Sequence, residues 1–262
     1  MTRLPSFGVL LGRLLDHRNV DVGALSQAAA VSESELQGVL DGAEPSPSLL
    51  RRLAVALNLH AADLFVMAGL AVPDDLAPLD PQANAWVARL VTCTVRLPAE
   101  QRRRVRQFVR SMPQQERPQP ASPASADQWP PPGFGGMLMR MLFNRNLRMR
   151  KAGVIWHLTG MPLSESTVHA VGHRNEVSLE MLIGFATVLG IPAVELAVLN
   201  GVKLAGLDGA HLAALEGVEP PGSSLHVNPA ADDIAELIWD VRRLTADQVR
   251  QVCEQAESMR NE

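Results

Sequence analysis

The sequence predicts an all-α protein, and three observations carry that reading. Apolar residues recur at helical spacing along nearly the whole chain, and no segment alternates polar and apolar residues as a half-buried strand does. Tyr is absent, and the 6 Phe and 4 Trp stand against many Leu, Ala, Val and Met, a balance that favours helices over sheets. Ser and Asp precede several of the apolar runs, where their side-chain oxygens can accept from the free N–H groups of a helix start.

The elements follow in order. Phe7, Leu10, Leu11, Leu14 and Leu15 share one face of a first helix. Asp21 is placed to cap a second, with Val22, Leu25 and Ala29 inward, and Ser32 a third, with Leu36, Val39 and Leu40 inward. Ser46 caps a fourth, carrying Leu49, Leu50, Leu53 and Leu57, and a fifth runs from Ala62 to Met67. After the turn PDDLAPLDP, a sixth helix carries the stripe Trp86, Val87, Leu90, Val91 and Thr94. Pro98 opens a seventh with Val105, Phe108, Val109 and Met112.

The chain then repeats itself. The segment SMPQQERPQPASPASADQWPPPG, 111–133, is too rich in proline for a helix and reads as an extended linker. Shifted by 132 residues, segment 31–70 falls on 163–202 with 13 of 40 positions identical, among them Ser32/Ser164, Leu57/Leu189, Leu64/Leu196 and Gly69/Gly201. Ordinary composition gives roughly three by chance. Shifted by 147, RLPAEQRRRVRQFVRSM (96–112) falls on RLTADQVRQVCEQAESM (243–259). The second copy closes with Ile234, Leu237, Ile238 and Val241, then Val249, Val252, Cys253 and Ala256.

Composition bounds the function. At 262 residues, 47% hydrophobic and 20% charged, the chain has enough apolar surface for two packed units. No apolar run approaches the roughly 18 residues of a membrane span, and the mixed charge of the N-terminus argues against a signal peptide, so a cytoplasmic protein with no membrane partner is expected. The two cysteines, Cys93 and Cys253, form no CxxC, which argues against a disulfide framework or a zinc finger. There is no Walker loop, no GxGxxG after a strand and no GxSxG, and only two lysines, so the expectation is a protein that is not an enzyme and needs no cofactor. The net charge of −4 divides unevenly: −4 over 1–79, +4 over 80–133, +3 over 134–207 and −7 over 208–262. A basic middle between acidic ends presents a local field that the total conceals.

Two short helices joined by a tight turn, the second opening at a capping Ser, form a helix-turn-helix pattern. The repeated unit resembles the phage-repressor-like (Xre-type) helix-turn-helix family of transcriptional regulators. In the first copy the resemblance rests on Leu25, Ala29, Val31-Ser32, Leu36, Gly42, Pro45-Ser46, Leu50, Leu53-Ala54, Ala56-Leu57 and Leu59; in the second it rests on Leu163-Ser164, Val168, Ser178, Leu182, Phe185-Ala186, Leu189 and Ile191. It implies two tandem lambda-repressor-like helix-turn-helix domains, each followed by a helical hairpin: a first domain at 1–112, a Pro-rich linker at 113–133 and a second domain at 134–262. The implied partner is double-stranded DNA, read in the major groove.

On that reading Glu165, Ser166, Thr167, His169 and His173 face bases in the second copy, and Ser34 and Gln37 in the first. Arg145, Arg148, Arg150 and Lys151, from RNLRMRK, are the phosphate candidates, joined by Ser32, Ser164 and Arg174. The first copy offers Glu33 and Glu35 where phosphates approach, so the second is expected to be the main reader. His169 and His173 stand i, i+4, but with no third ligand at a matching distance no metal is expected. QRRRVRQFVR, 101–110, reads as either a solvated helix face or a surface for phosphate or a partner. Trp156 and Trp239, on apolar stripes, read as core rather than as base-stacking platforms. The stripes Trp86/Val87/Leu90 and Ile234/Leu237/Ile238 exceed what one hairpin buries, so they are expected to pack either on neighbouring helices of their own copy or across a two-fold axis in a homodimer. The other reading is a protein-interaction or antitoxin-like scaffold whose degenerate helix-turn-helix units dimerise or dock a protein partner through the acidic segments.

Overall fold

The computed structural model describes residues 4–117, 133–148, 153–160, 165–174, 177–217 and 227–260. Among them the regular structure is entirely helical. The first copy contains α1 (Phe7–Arg18), α2 (Val22–Ala29), α3 (Glu33–Leu40), α4 (Pro47–Ala56), α5 (Ala61–Met67), α6 (Asn84–Thr94) and α7 (Ala99–Ser111). The second contains α8 (Phe134–Phe143), α9 (Gly153–Thr159), α10 (Glu165–Arg174), α11 (Leu179–Leu189), α12 (Ala193–Leu199), α13 (Gly209–Leu215), α14 (Ala231–Val241) and α15 (Ala246–Arg260).

The helix starts are written in local chemistry. Asp21 accepts from the Ala24 N–H at 2.7 Å, Ser32 from Glu35 at 3.2 Å, Ser46 from Leu49 at 3.2 Å and Ser178 from Met181 at 3.3 Å. Each satisfies a donor that the helix itself cannot. The left-handed residue closing α1 is Asn19, φ 52°, and the corresponding residue after α8 is Asn146, φ 55°; Asn tolerates this conformation better than most side chains. Gly8 is required by packing, because a Cβ there would stand 2.2 Å from the Val39 carbonyl where α1 crosses α3.

The two copies do not stand apart as separate cores. A single cluster of buried apolar residues runs through both. Within the copies α1, α2 and α4 pack around α3 and α5, and α8, α9 and α12 pack around α10 and α11. Between them, α1 lies on α12 and α5 on α8, while α6 takes α15 as its chief partner and α7 takes α14. The closing helices therefore pair across the copies. Val87, Leu90 and Ile238 are fully buried there, and Trp86 is half-buried. At roughly 1.5–3 kcal/mol for each buried large aliphatic side chain, this seam is a major source of cohesion.

Charge follows the same seam. Arg102 pairs with Asp233 at 2.9 Å, Arg106 with Asp240 at 2.9 Å and also with Glu236, and Arg110 with Asp240 at 3.0 Å. In the same sense Arg89 of α6 holds Glu257 of α15 at 2.8 Å. The basic middle and acidic end of the sequence thus meet within the chain. The arginine-rich helix is neither simply solvated nor free for phosphate along this face. Cys93 and Cys253, 160 residues apart, meet at the α6–α15 seam as free thiols; their mutual hydrogen bond lowers the Cys93 pKa and, together with burial, raises that of Cys253.

Among the described residues, no single helix is long and apolar enough to cross a membrane. α11 and α12 together are apolar enough, but they are bent by 118° at their junction and largely buried in the core.

Candidate nucleic-acid interface

α10 is anchored by Val171, which is buried where α10 packs on α8. Ser166 is exposed at its start and Thr167 half-buried beside it. Glu165, His169, His173 and Arg174 belong to α10, but their side chains lie outside the described residues, as do Ser164, Arg150 and Lys151 and the Trp156 side chain.

The corresponding α3 is described fully. Leu36 and Val39 anchor it, and Ser32, Glu33, Ser34, Glu35, Gln37 and Asp41 are exposed. Ser32 is committed to the helix cap and shares a 3.1 Å hydrogen bond with Ser34, while the Gln37 amide donates to the Asp41 carboxylate at 3.0 Å. The outward face is therefore acidic, and its amide is held by its own helix. Such a face repels phosphate and disfavours base reading by Gln37 unless the Asp41 bond opens.

Of the basic cluster after α8, Arg148 is exposed, with its guanidinium 6.0 Å from the centre of the Phe143 ring. Arg145 is the clear correction. Expected at the surface as a phosphate ligand, it is fully buried. Its two terminal nitrogens meet the Asp63 carboxylate at 2.8 and 2.7 Å and also donate to the carbonyls of Met141 at 3.0 Å and Leu189 at 2.8 Å. A guanidinium costs several kcal/mol to desolvate, and a two-point carboxylate with two carbonyls is what makes that burial tolerable.

An equivalent contact occurs in the other copy. Arg18 grips Glu195 through two nitrogens, at 2.8 and 2.7 Å, and donates to the Leu57 carbonyl at 2.8 Å. The matching signal is a third repeated segment, FGVLLGRLLDHRN (7–19) against FGGMLMRMLFNRN (134–146), in which Arg18 falls on Arg145. The 132-residue shift likewise places Asp63 on Glu195 and Leu57 on Leu189. Each copy therefore extends the corresponding arginine, Arg18 at the end of α1 and Arg145 just beyond α8, to an acid on the other copy, and α3 and α10 are the corresponding helices of the sequence repeat. Arg13 adds a 2.8 Å bond to the Leu199 carbonyl, whereas its counterpart Arg140 has a buried Nε without an acceptor and a pKa lowered by burial.

Behind this junction His60 stacks on Trp239 at 3.6 Å and 13°, and the Arg242 guanidinium lies 3.8 Å from the centre of the same ring. Two groups so close to one ring centre need opposite faces, so Trp239 is sandwiched. Burial, and then the Arg145 charge, push His60 down to about 4 and keep it neutral near pH 7. His157, beside Thr92 at 3.4 Å, is also shifted down by burial and by Arg96. Among the described residues no group of three or more His, Cys, Asp or Glu is arranged to hold a metal. Comparison with family models, curated proteins and solved structures found no match to this chain.

Proposed function

We propose that this chain is a DNA-binding transcriptional regulator in which two tandem lambda-repressor-like helix-turn-helix units, read from the repeat and its Xre-type pattern, act as a single-chain counterpart of a repressor dimer. One observation carries the reading: the reciprocal Arg18–Glu195 and Arg145–Asp63 contacts, which join corresponding residues of the two copies and support treating them as equivalent halves, with α3 and α10 the corresponding helices of the sequence repeat. A pseudo-symmetric pair of recognition helices suits two half-sites about one helical turn apart, roughly 34 Å. The apolar stripes that a homodimer would cover are already covered within the chain, so one chain per DNA site is the natural stoichiometry.

The second copy is the main reader. Ser166 and Thr167 stand at the start of its recognition helix where the first copy has Ser34 and Glu35, and Arg148, following α8, is exposed. Glu165, His169 and His173 are the further base-facing candidates, and Arg150, Lys151, Ser164 and Arg174 the further phosphate candidates.

A specific observation favours a second reading. The exposed carboxylates Glu33, Glu35 and Asp41 make α3 better suited to a basic protein surface than to phosphate. Under that alternative the chain is a protein-interaction or antitoxin-like scaffold. Capture of random genomic duplexes by the full chain, followed by sequencing and a salt titration of the enriched site, tests the two readings. DNA binding weakens steeply with salt through counterion release. No enrichment at low salt rejects the regulator reading.

A further inference from the structure

A cleft of about 460 Å³ opens where three segments meet: the turn after α5, with Asp74, Asp75 and Leu79; the stretch after α7, with Gln114 and Arg117; and the end of α14, with Arg242 and Arg243. That volume falls in the range of small-molecule sites, roughly 300–1,000 Å³. Both copies supply its wall, and the Leu79 N–H donates to the Arg242 carbonyl across it at 2.8 Å.

Its charges are unequal. Arg117 donates to the carbonyls of Asp74, Ala77, Pro78 and Leu79, which shapes the turn, and among the described residues no carboxylate pairs with it. Arg243 donates to the Val109 carbonyl at 3.2 Å. Arg242 lies over Trp239, and its Nε is buried without an acceptor. Of the two carboxylates, Asp75 is held by Arg51 through two bonds of 2.9 Å. Three cations therefore line a cleft whose remaining carboxylate is the exposed Asp74. Burial, and then the Arg145 charge, push Arg242 down to about 10, against the opposing pull of the Asp63 and Asp240 carboxylates.

We propose that this cleft binds a small hydroxylated organic phosphate of sugar-phosphate size, with Arg242 and Arg243 holding the phosphate oxygens and Asp74 and Gln114 hydrogen-bonding the hydroxyls. Guanidinium groups suit such oxygens because their donors match the anion's geometry as well as its charge. The apolar Leu79 side and the limited volume favour a compact ligand over a polymer. The inference concerns ligand binding alone and does not depend on the DNA reading.

Calorimetric titration of the full chain in low-chloride buffer tests it, with glucose 6-phosphate as the probe and inorganic phosphate and glucose as comparison arms. The expected result is saturable one-to-one binding of glucose 6-phosphate, weaker binding of phosphate and none of glucose. Arg242→Gln and Arg243→Gln each weaken that binding at least tenfold; the second variant leaves the Trp239 stack intact and keeps the test valid if the first does not fold. Far-ultraviolet circular dichroism confirms which variants retain their helices. Absence of saturable heat with glucose 6-phosphate overturns the proposal, as does unchanged affinity in the folded variants. Equal affinity for inorganic phosphate overturns the assignment of Asp74 and Gln114.

Discussion

Replacing Asp63 with Asn leaves the Arg145 guanidinium buried between the two copies without a counter-charge. Both side chains of this pair are essentially inaccessible, at 0% and 1% exposure, so water cannot take the place of the lost carboxylate. Breaking a buried ion pair from one side costs about 3–5 kcal/mol. For a chain of this size that corresponds to a fall of roughly 6–20 °C in the unfolding midpoint. Arg145→Met, which strands the carboxylate instead, should cost a similar amount. The double variant Asp63→Leu/Arg145→Met removes both charges and should recover most of the loss, because well-packed apolar replacements of buried pairs are often neutral. The equivalent change Glu195→Gln should cost less, about 1–3 kcal/mol, because the Arg18–Glu195 pair keeps 24% and 10% exposure. Urea unfolding followed by circular dichroism, arranged as a double-mutant cycle, measures these terms. Single variants that each cost under about 1 kcal/mol, or a double variant as unstable as the sum of its parts, would refute the clamp.

Three further outcomes are expected. His60 titrates near 4 in the folded chain and near 6.5 when unfolded, so the unfolded state binds the proton first and stability falls as pH drops from about 6.5 towards 4; relative to His60→Phe, the loss at pH 5 should be about 2 kcal/mol in urea unfolding. Leu90→Ala opens a cavity in the seam between the copies and should cost about 2–5 kcal/mol by the same assay. For DNA binding followed by fluorescence anisotropy, Arg148→Ala should weaken every duplex alike and reduce the salt slope by about 0.9, whereas Glu33→Gln/Glu35→Gln should strengthen binding; a sequence-selective loss in the first variant would move Arg148 from phosphate to base contact.

The local architecture was legible because it is local. Asp21, Ser32 and Ser46 cap the helices they precede, and the stripes at Leu10, Leu50, Leu90 and Ile238 are buried as their spacing implies. What covers those stripes was not legible, since periodicity identifies an apolar face but not its partner. The −7 segment and the basic segment were both visible, yet their meeting required α7 and α14 to come together from about 130 residues apart. Arg145 was misread for a related reason. In RNLRMRK it looks like one cation in a surface cluster, and its acid, Asp63, lies 82 residues away. The informative signal was its repetition at Arg18 together with the acids repeated at Asp63 and Glu195. The dual partnership of Trp239 with His60 and Arg242 left no comparable pattern, because neither spacing nor composition marks a stack assembled from two copies.

One chain, with its two halves clamped together, is proposed to engage one duplex site. Multi-angle light scattering of the full chain with its enriched duplex, in low salt and with either component in excess, measures this directly. A single chain per duplex, lost on raising the salt, is the predicted result. Two chains per duplex, or no complex at low salt, would contradict the single-chain account of DNA binding.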